Sequence, residues 1–127
     1  MLNKGLRDEK KVKIDKMLTT LLSLVFVPKF WNTEDTSLID DQLTEIQLSS
    51  AILQEISEKD LITLLSGYGF DWEDKERFAD FVVDYSKGNS VDFIAKAIAI
   101  YVHIQAESKA FSFGISNKLS GLENNCK

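Results

Sequence analysis

His103 and Glu107 stand four residues apart in a run whose apolar spacing is helical, so an imidazole and a carboxylate would share one face. That pairing suits general acid–base chemistry, or two metal ligands completed from elsewhere in the chain. His103 is the single histidine and Cys126 the single cysteine. Sites needing two histidines, cysteine-only zinc sites and internal disulfides are therefore excluded. Asp92 and Lys96 extend the same stripe: at 100° per residue, Asp92, Lys96, His103 and Glu107 fall within about 60° of one another. A solvated helix edge has the same pattern, with Asp92 and Lys96 as an ordinary ion pair worth about 0.2–0.5 kcal/mol. The solvated edge is the simpler reading, so no catalytic residue, metal or cofactor is expected. Gly67-Tyr68-Gly69-Phe70 lacks the spacing and the lysine-plus-hydroxyl ending of a phosphate loop and reads as a connector between helices. Cys126 lacks the three following residues that prenylation needs.

Binding chemistry is easier to place. Residues 34–76 hold twelve acids against Lys59 and Lys75, whereas residues 1–17 hold six bases against three acids. Nucleic acids are bound by neutralising their phosphates. A net charge of −5 with its acids massed centrally argues against such a partner. The cluster Asp71, Glu73, Asp74 and Glu76 around Trp72 suits a basic protein partner, because complementary charge raises encounter rates and selects partners. Solvated helix faces would give the same composition. Tyr68, Trp72, Phe30 and Trp31 sit at the ends of expected elements, where aromatics either plug a core or anchor an interface; plugging is the simpler expectation.

The elements that must position these residues are helices. Ile14, Leu18, Leu21, Leu22 and Val25 form a helical stripe over residues 9–27, and Pro28 stops it. Asn32-Thr33 and Thr36-Ser37 offer caps before a helix with Ile39, Leu43 and Ile46 on one face. Ser49-Ser50 breaks that helix, and residues 51–56 add a short turn. Ser57 caps a helix carrying Leu61, Leu64, Leu65 and Tyr68, which Gly67-Tyr68-Gly69 ends. Asp71 to Asp74 start the next helix in the same fashion. Its buried stripe is Phe78, Phe81, Val82 and Tyr85, and Lys87-Gly88-Asn89 closes it. Asn89 or Ser90 caps a long helix over 91–108 that is apolar nearly all round, the pattern of an element central in its domain or covered by a partner. No Asn-Gly or Asp-Gly hairpin signal occurs.

The expected fold is all-α: five or six helices in antiparallel hairpins. It forms a single domain over 1–127, with 1–8 and 116–127 frayed. A chain of 127 residues, 44% hydrophobic and 28% charged, can bury a core of its own. The basic start followed by the apolar run Met17–Pro28 imitates a secretory leader. Asp8, Glu9 and Asp15 dilute it, however, no small-x-small cleavage site follows, and the run is too short to span a bilayer. A cytoplasmic protein with no membrane span is expected.

Residues 74–104 form two amphipathic helices around Gly88-Asn89, ending in Lys96-Ala97-Ile98-Ala99-Ile100-Tyr101. They resemble a tetratricopeptide-type hairpin, a unit that mediates protein interactions. The order of Ile14-Asp15-Lys16-Met17-Leu18, Asp60 to Leu65, Ala97 to Tyr101 and Phe111-Ser112-Phe113 is similar to small bacterial all-helical proteins with divergent hairpins of this type. The resemblance brings no catalytic residues. The first expectation is a non-enzymatic protein–protein interaction domain, including self-association through apolar surface that 127 residues cannot fully cover. A second expectation is an inhibitor of the immunity-protein or antitoxin kind, binding a basic partner through 34–76. The least favoured is an enzyme using His103 and Glu107. The expected partner is a protein or a second copy of the chain, and no small-molecule ligand is expected.

Overall fold

The computed structural model describes residues 2–26, 33–88, 93–108 and 113–125, and every regular element among them is helical. The order is α1 (Leu2–Phe26), α2 (Thr33–Leu43), a single 3-10 turn (Thr44–Ile46), α3 (Ser50–Glu55), α4 (Glu58–Gly67), α5 (Trp72–Gly88), α6 (Ile94–Glu107) and α7 (Phe113–Asn125). Pro28, Phe30, Trp31, Asn89, Ser90, Asp92, Phe111 and Cys126 lie outside the described residues. No described helix is long and apolar enough to cross a membrane.

The helix boundaries follow from their caps. Ser49 and Ser57 accept the backbone N–H of Ile52 and Asp60 at 3.2 and 3.1 Å, which satisfies donors that a helix start leaves unpaired. Asp71 and Asp74 cap α5 reciprocally: the Asp74 amide donates to Asp71 Oδ1 at 2.8 Å and the Asp71 amide to Asp74 Oδ2 at 3.2 Å. α4 ends in a Schellman motif. Phe70 N–H donates to Leu65 O at 3.1 Å and Gly69 N–H to Ser66 O at 3.0 Å, with Gly69 at φ +88°. Gln47 takes the same left-handed conformation after the 3-10 turn, at φ +59°.

Buried apolar side chains from all seven helices form one cluster. α1 contributes Ile14, Met17, Leu18, Leu21 and Val25, the stripe its spacing predicts with Met17 added and Leu22 only half-buried. α5 holds the inner position, packing on α1 and on α6. Asp74, Lys75, Ala79, Val83 and Ser86 are buried on it beside the expected Phe78, Phe81, Val82 and Tyr85. Ser86 Oγ accepts from Phe93 N–H, Asp80 pairs with Tyr101, and Lys75 with His103. Contacts that step backward along α5 as they step forward along α6 mean the two helices run in opposite directions. A polar chain also ties α2, α3 and α5: Asp40 Oδ1 accepts from Ser50 N–H and Oγ–H at 2.8 Å, and Ser50 Oγ lies 2.7 Å from Tyr85 Oη.

One expectation is corrected. Seven α-helices are present among the described residues, not five or six, because the polar end forms α7 where fraying is expected. Ile115 and Leu122 are buried and Leu119 packs beside them, an i, i+4, i+7 stripe seated on α6. The 91–108 helix packs on α4, α5 and α7: α6 buries Ala97, Ile100, Tyr101 and Ile104, while Val102 on its other side is 49% exposed.

Candidate functional site

The residues singled out by sequence fall into three places. The first is the start of α5. Lys11 of α1 donates to Asp71 Oδ2 at 2.5 Å and to both Asp74 oxygens at 3.0 Å. These bonds raise the Lys11 pKa. Burial alone would raise that of Asp71, but hydrogen bonds from Lys11 and the Asp74 amide outweigh it and hold the carboxyl below its usual range. Asp74 is buried, and its oxygens serve the cap and Lys11. Glu76 accepts from Lys118 of α7 at 2.6 Å. Three of the acids expected to face a basic partner are thus occupied by the chain's own lysines, and Glu73 stays exposed.

The second place joins residues that the sequence suggests for separate reasons. Trp72 does not plug the core: it is 40% exposed, and its ring lies 5.5 Å from that of His103. Between them comes Lys75, 5% exposed, its Nζ 4.5 Å above the Trp72 ring and 3.1 Å from His103 Nε2. An ammonium only donates, so Nε2 accepts and the imidazole proton sits on Nδ1. Burial lowers the Lys75 pKa against the pull of Asp71. Burial, and then the Lys75 charge, lower that of His103 against the pull of Glu107. His103 thus meets Lys75 through Nε2, and Glu107 acts on the ring through its charge. Lys96 reaches the other way, donating to Gln54 O at 3.3 Å. The expected Asp92–Lys96 pair lies outside the described residues. Lys75 is not singled out by sequence, yet Lys75, Phe78 and Val82 stand at i, i+3, i+7, and that spacing already places it on the buried stripe.

A third polar group joins α5, α6 and α7. Tyr101 Oη donates to Asp80 Oδ1 at 2.5 Å, and Lys118 donates to both Asp80 oxygens at 3.0 and 3.1 Å. Burial, reinforced by Asp80, pushes the Tyr101 phenol far up. Beside it, Leu22, Val83, Asp84 and Leu122 line an open cleft of about 400 Å³. Burial raises the Asp84 pKa. Among the described residues no three histidine, cysteine or acidic side chains converge to hold a metal ion.

Around α6 the polar stripe is a narrow edge. Ala95, Val102 and Ala106 are exposed, and Ile98, Ala99 and Gln105 half-buried, on the side turned from the core. At 100° per residue these six positions cover about 120° of the helix. Lys96, His103 and Glu107 follow along one margin.

Compared with protein-family models, with curated proteins and with solved structures, the chain finds no significant match.

Proposed function

We propose that this chain is a non-enzymatic helical interaction module that docks another protein through the outward face of α6. One observation carries the reading. α6 is the most apolar helix, and its buried stripe accounts for only part of its apolar surface; the opposite face, Ala95, Ile98, Ala99, Val102 and Ala106, carries no charge. Lone exposed apolar side chains are ordinary, but a helix that is apolar on two opposite sides has a reason to bury both. The antiparallel α5–α6 pair is the part that resembles a tetratricopeptide-type hairpin, and its use as an interaction unit agrees with that likeness. Capture of a basic partner by residues 34–76 has less support, since Asp71, Asp74 and Glu76 already bind Lys11 and Lys118. Catalysis at His103 has less support too, because its Nε2 is engaged by Lys75.

Val102→Glu tests the reading. The side chain is exposed, so the variant keeps its helicity by circular dichroism while placing a charge at the centre of the face. Wild-type protein, followed by light scattering and by capture from its native lysate, is expected to associate with itself or with a partner, and Val102→Glu to lose that association. Identical behaviour of the two proteins would overturn the proposal.

A further inference from the structure

We infer that the occupant of this face is a second copy of the chain, docked so that the two α6 helices run antiparallel across a two-fold axis near residues 101–102. The inference rests on the docking role proposed for α6 and adds the identity and orientation of what docks there.

Charge placement along the margin carries it. Lys96 lies in the first turn of α6 and Glu107 is its last residue. The helix dipole favours the reverse order, acids at the start and bases at the end, and neither end of α6 has it: its first turn holds no acid and its last turn no base. A second α6 laid antiparallel supplies what is missing at both ends. The midpoint of 96 and 107 falls between 101 and 102, and so does the midpoint of Ile98 and Gln105. A two-fold axis there brings Lys96 of each copy opposite Glu107 of the other, and Ile98 opposite Gln105. Such an axis, perpendicular to the seam, maps a helix margin onto the same margin of its mate, so both Lys96–Glu107 pairs form on one side of the seam and the Ile98–Gln105 pairs on the other. A parallel two-fold would instead place the Lys96–Glu107 margin of one copy beside the Ile98–Gln105 margin of the other and leave both charges without a partner across the seam. Lys96 donates to Gln54 O, and an ammonium has two further hydrogens to offer a carboxylate. Ala95, Ala99 and Ala106 let the backbones approach closely, while Val102 packs beside the axis.

The contact is isologous, with the same patch on both copies, as a closed dimer requires. It is also small. A helix of 14 residues is about 21 Å long, and a seam of that length buries less than the ~1,200–2,000 Å² of stable interfaces. The dimer is therefore a reversible one that forms as concentration rises.

Sedimentation velocity across a concentration series, on wild type, Lys96→Glu, Glu107→Lys, the double exchange and an equimolar mixture of the two single variants, tests the pairing. Wild type is expected to show a monomer–dimer equilibrium. Each single reversal turns both cross-pairs repulsive and raises the dissociation constant about tenfold. The double exchange and the mixture restore opposite charges and return it to the wild-type value. Circular dichroism of each variant separates lost pairing from lost folding. Single variants that dimerise as well as wild type would overturn the orientation. Wild type that stays monomeric into the millimolar range would overturn the second copy as occupant. In that case, a captured partner lost with Val102→Glu would leave the docking role of α6 standing, and no such partner would remove both.

Discussion

At the scale of single residues, the pair with the clearest consequence is Lys75–His103. The folded imidazole resists protonation more than the unfolded one, whose pKa is about 6.5. As pH falls below that value the unfolded chain takes up the proton first. His103 thus contributes stability that is fully present above about pH 6.5 and is lost as pH drops through its folded value. Denaturant titrations at a series of pH values should show that decline, and His103→Gln should flatten it. Lys75→Met removes a buried cation whose charged form burial disfavours, while keeping a long apolar side chain. An NMR titration of the variant should find the His103 pKa moved up towards 6.5, and its melting temperature should be no lower than that of wild type. A His103 pKa unmoved by Lys75→Met would show that the amine does not hold the ring neutral. The reciprocal caps at Asp71 and Asp74 were legible in sequence because capping is local. The Lys75–His103 contact was not, because it joins residues 28 apart on two helices.

At the scale of elements, the turns carry the sharpest expectations. Gly69 occupies the left-handed C-cap of α4, and an added Cβ would also lie 3.3 Å from Lys10 Cε. Gly69→Ala is expected to cost about 1–2 kcal/mol in chemical denaturation. Gln47 sits exposed in the same conformation with an ordinary side chain. Gln47→Gly should therefore stabilise, by roughly 0.5–1 kcal/mol. Opposite signs at the two positions would confirm that backbone conformation decides both, and a destabilising Gln47→Gly would count against it. α7 shows where local reading misleads. Its serines, glycine and asparagines read as a fraying end, and the alternation of Phe111, Phe113 and Ile115 draws attention from Ile115, Leu119 and Leu122. Tertiary packing decides: those three seat on the core and Lys118 pins the polar side to Glu76 and Asp80. Ile115→Ala should then cost about 2–4 kcal/mol and raise amide exchange through α7. A loss well under that would mean the helix is only loosely docked.

For the whole molecule, the sequence already shows an all-helical chain and the unusual apolarity of the 91–108 segment. It cannot show which side of that segment the core would take. The structure settles that side: Ala97, Ile100, Tyr101 and Ile104 turn inward, and the face around Val102 turns out. Which copies or partners meet depends on that surface and on the charges along its margin, properties of an assembled exterior rather than of any local pattern. At this scale everything turns on the outward face of α6 being where a second copy of the chain docks. Methyl NMR spectra recorded from micromolar to millimolar protein concentration test it most directly. Concentration-dependent shifts confined to the methyls of Ala95, Ile98, Ala99, Val102 and Ala106 are the predicted result. Spectra in which the methyls of these five residues stay fixed as concentration rises would contradict it.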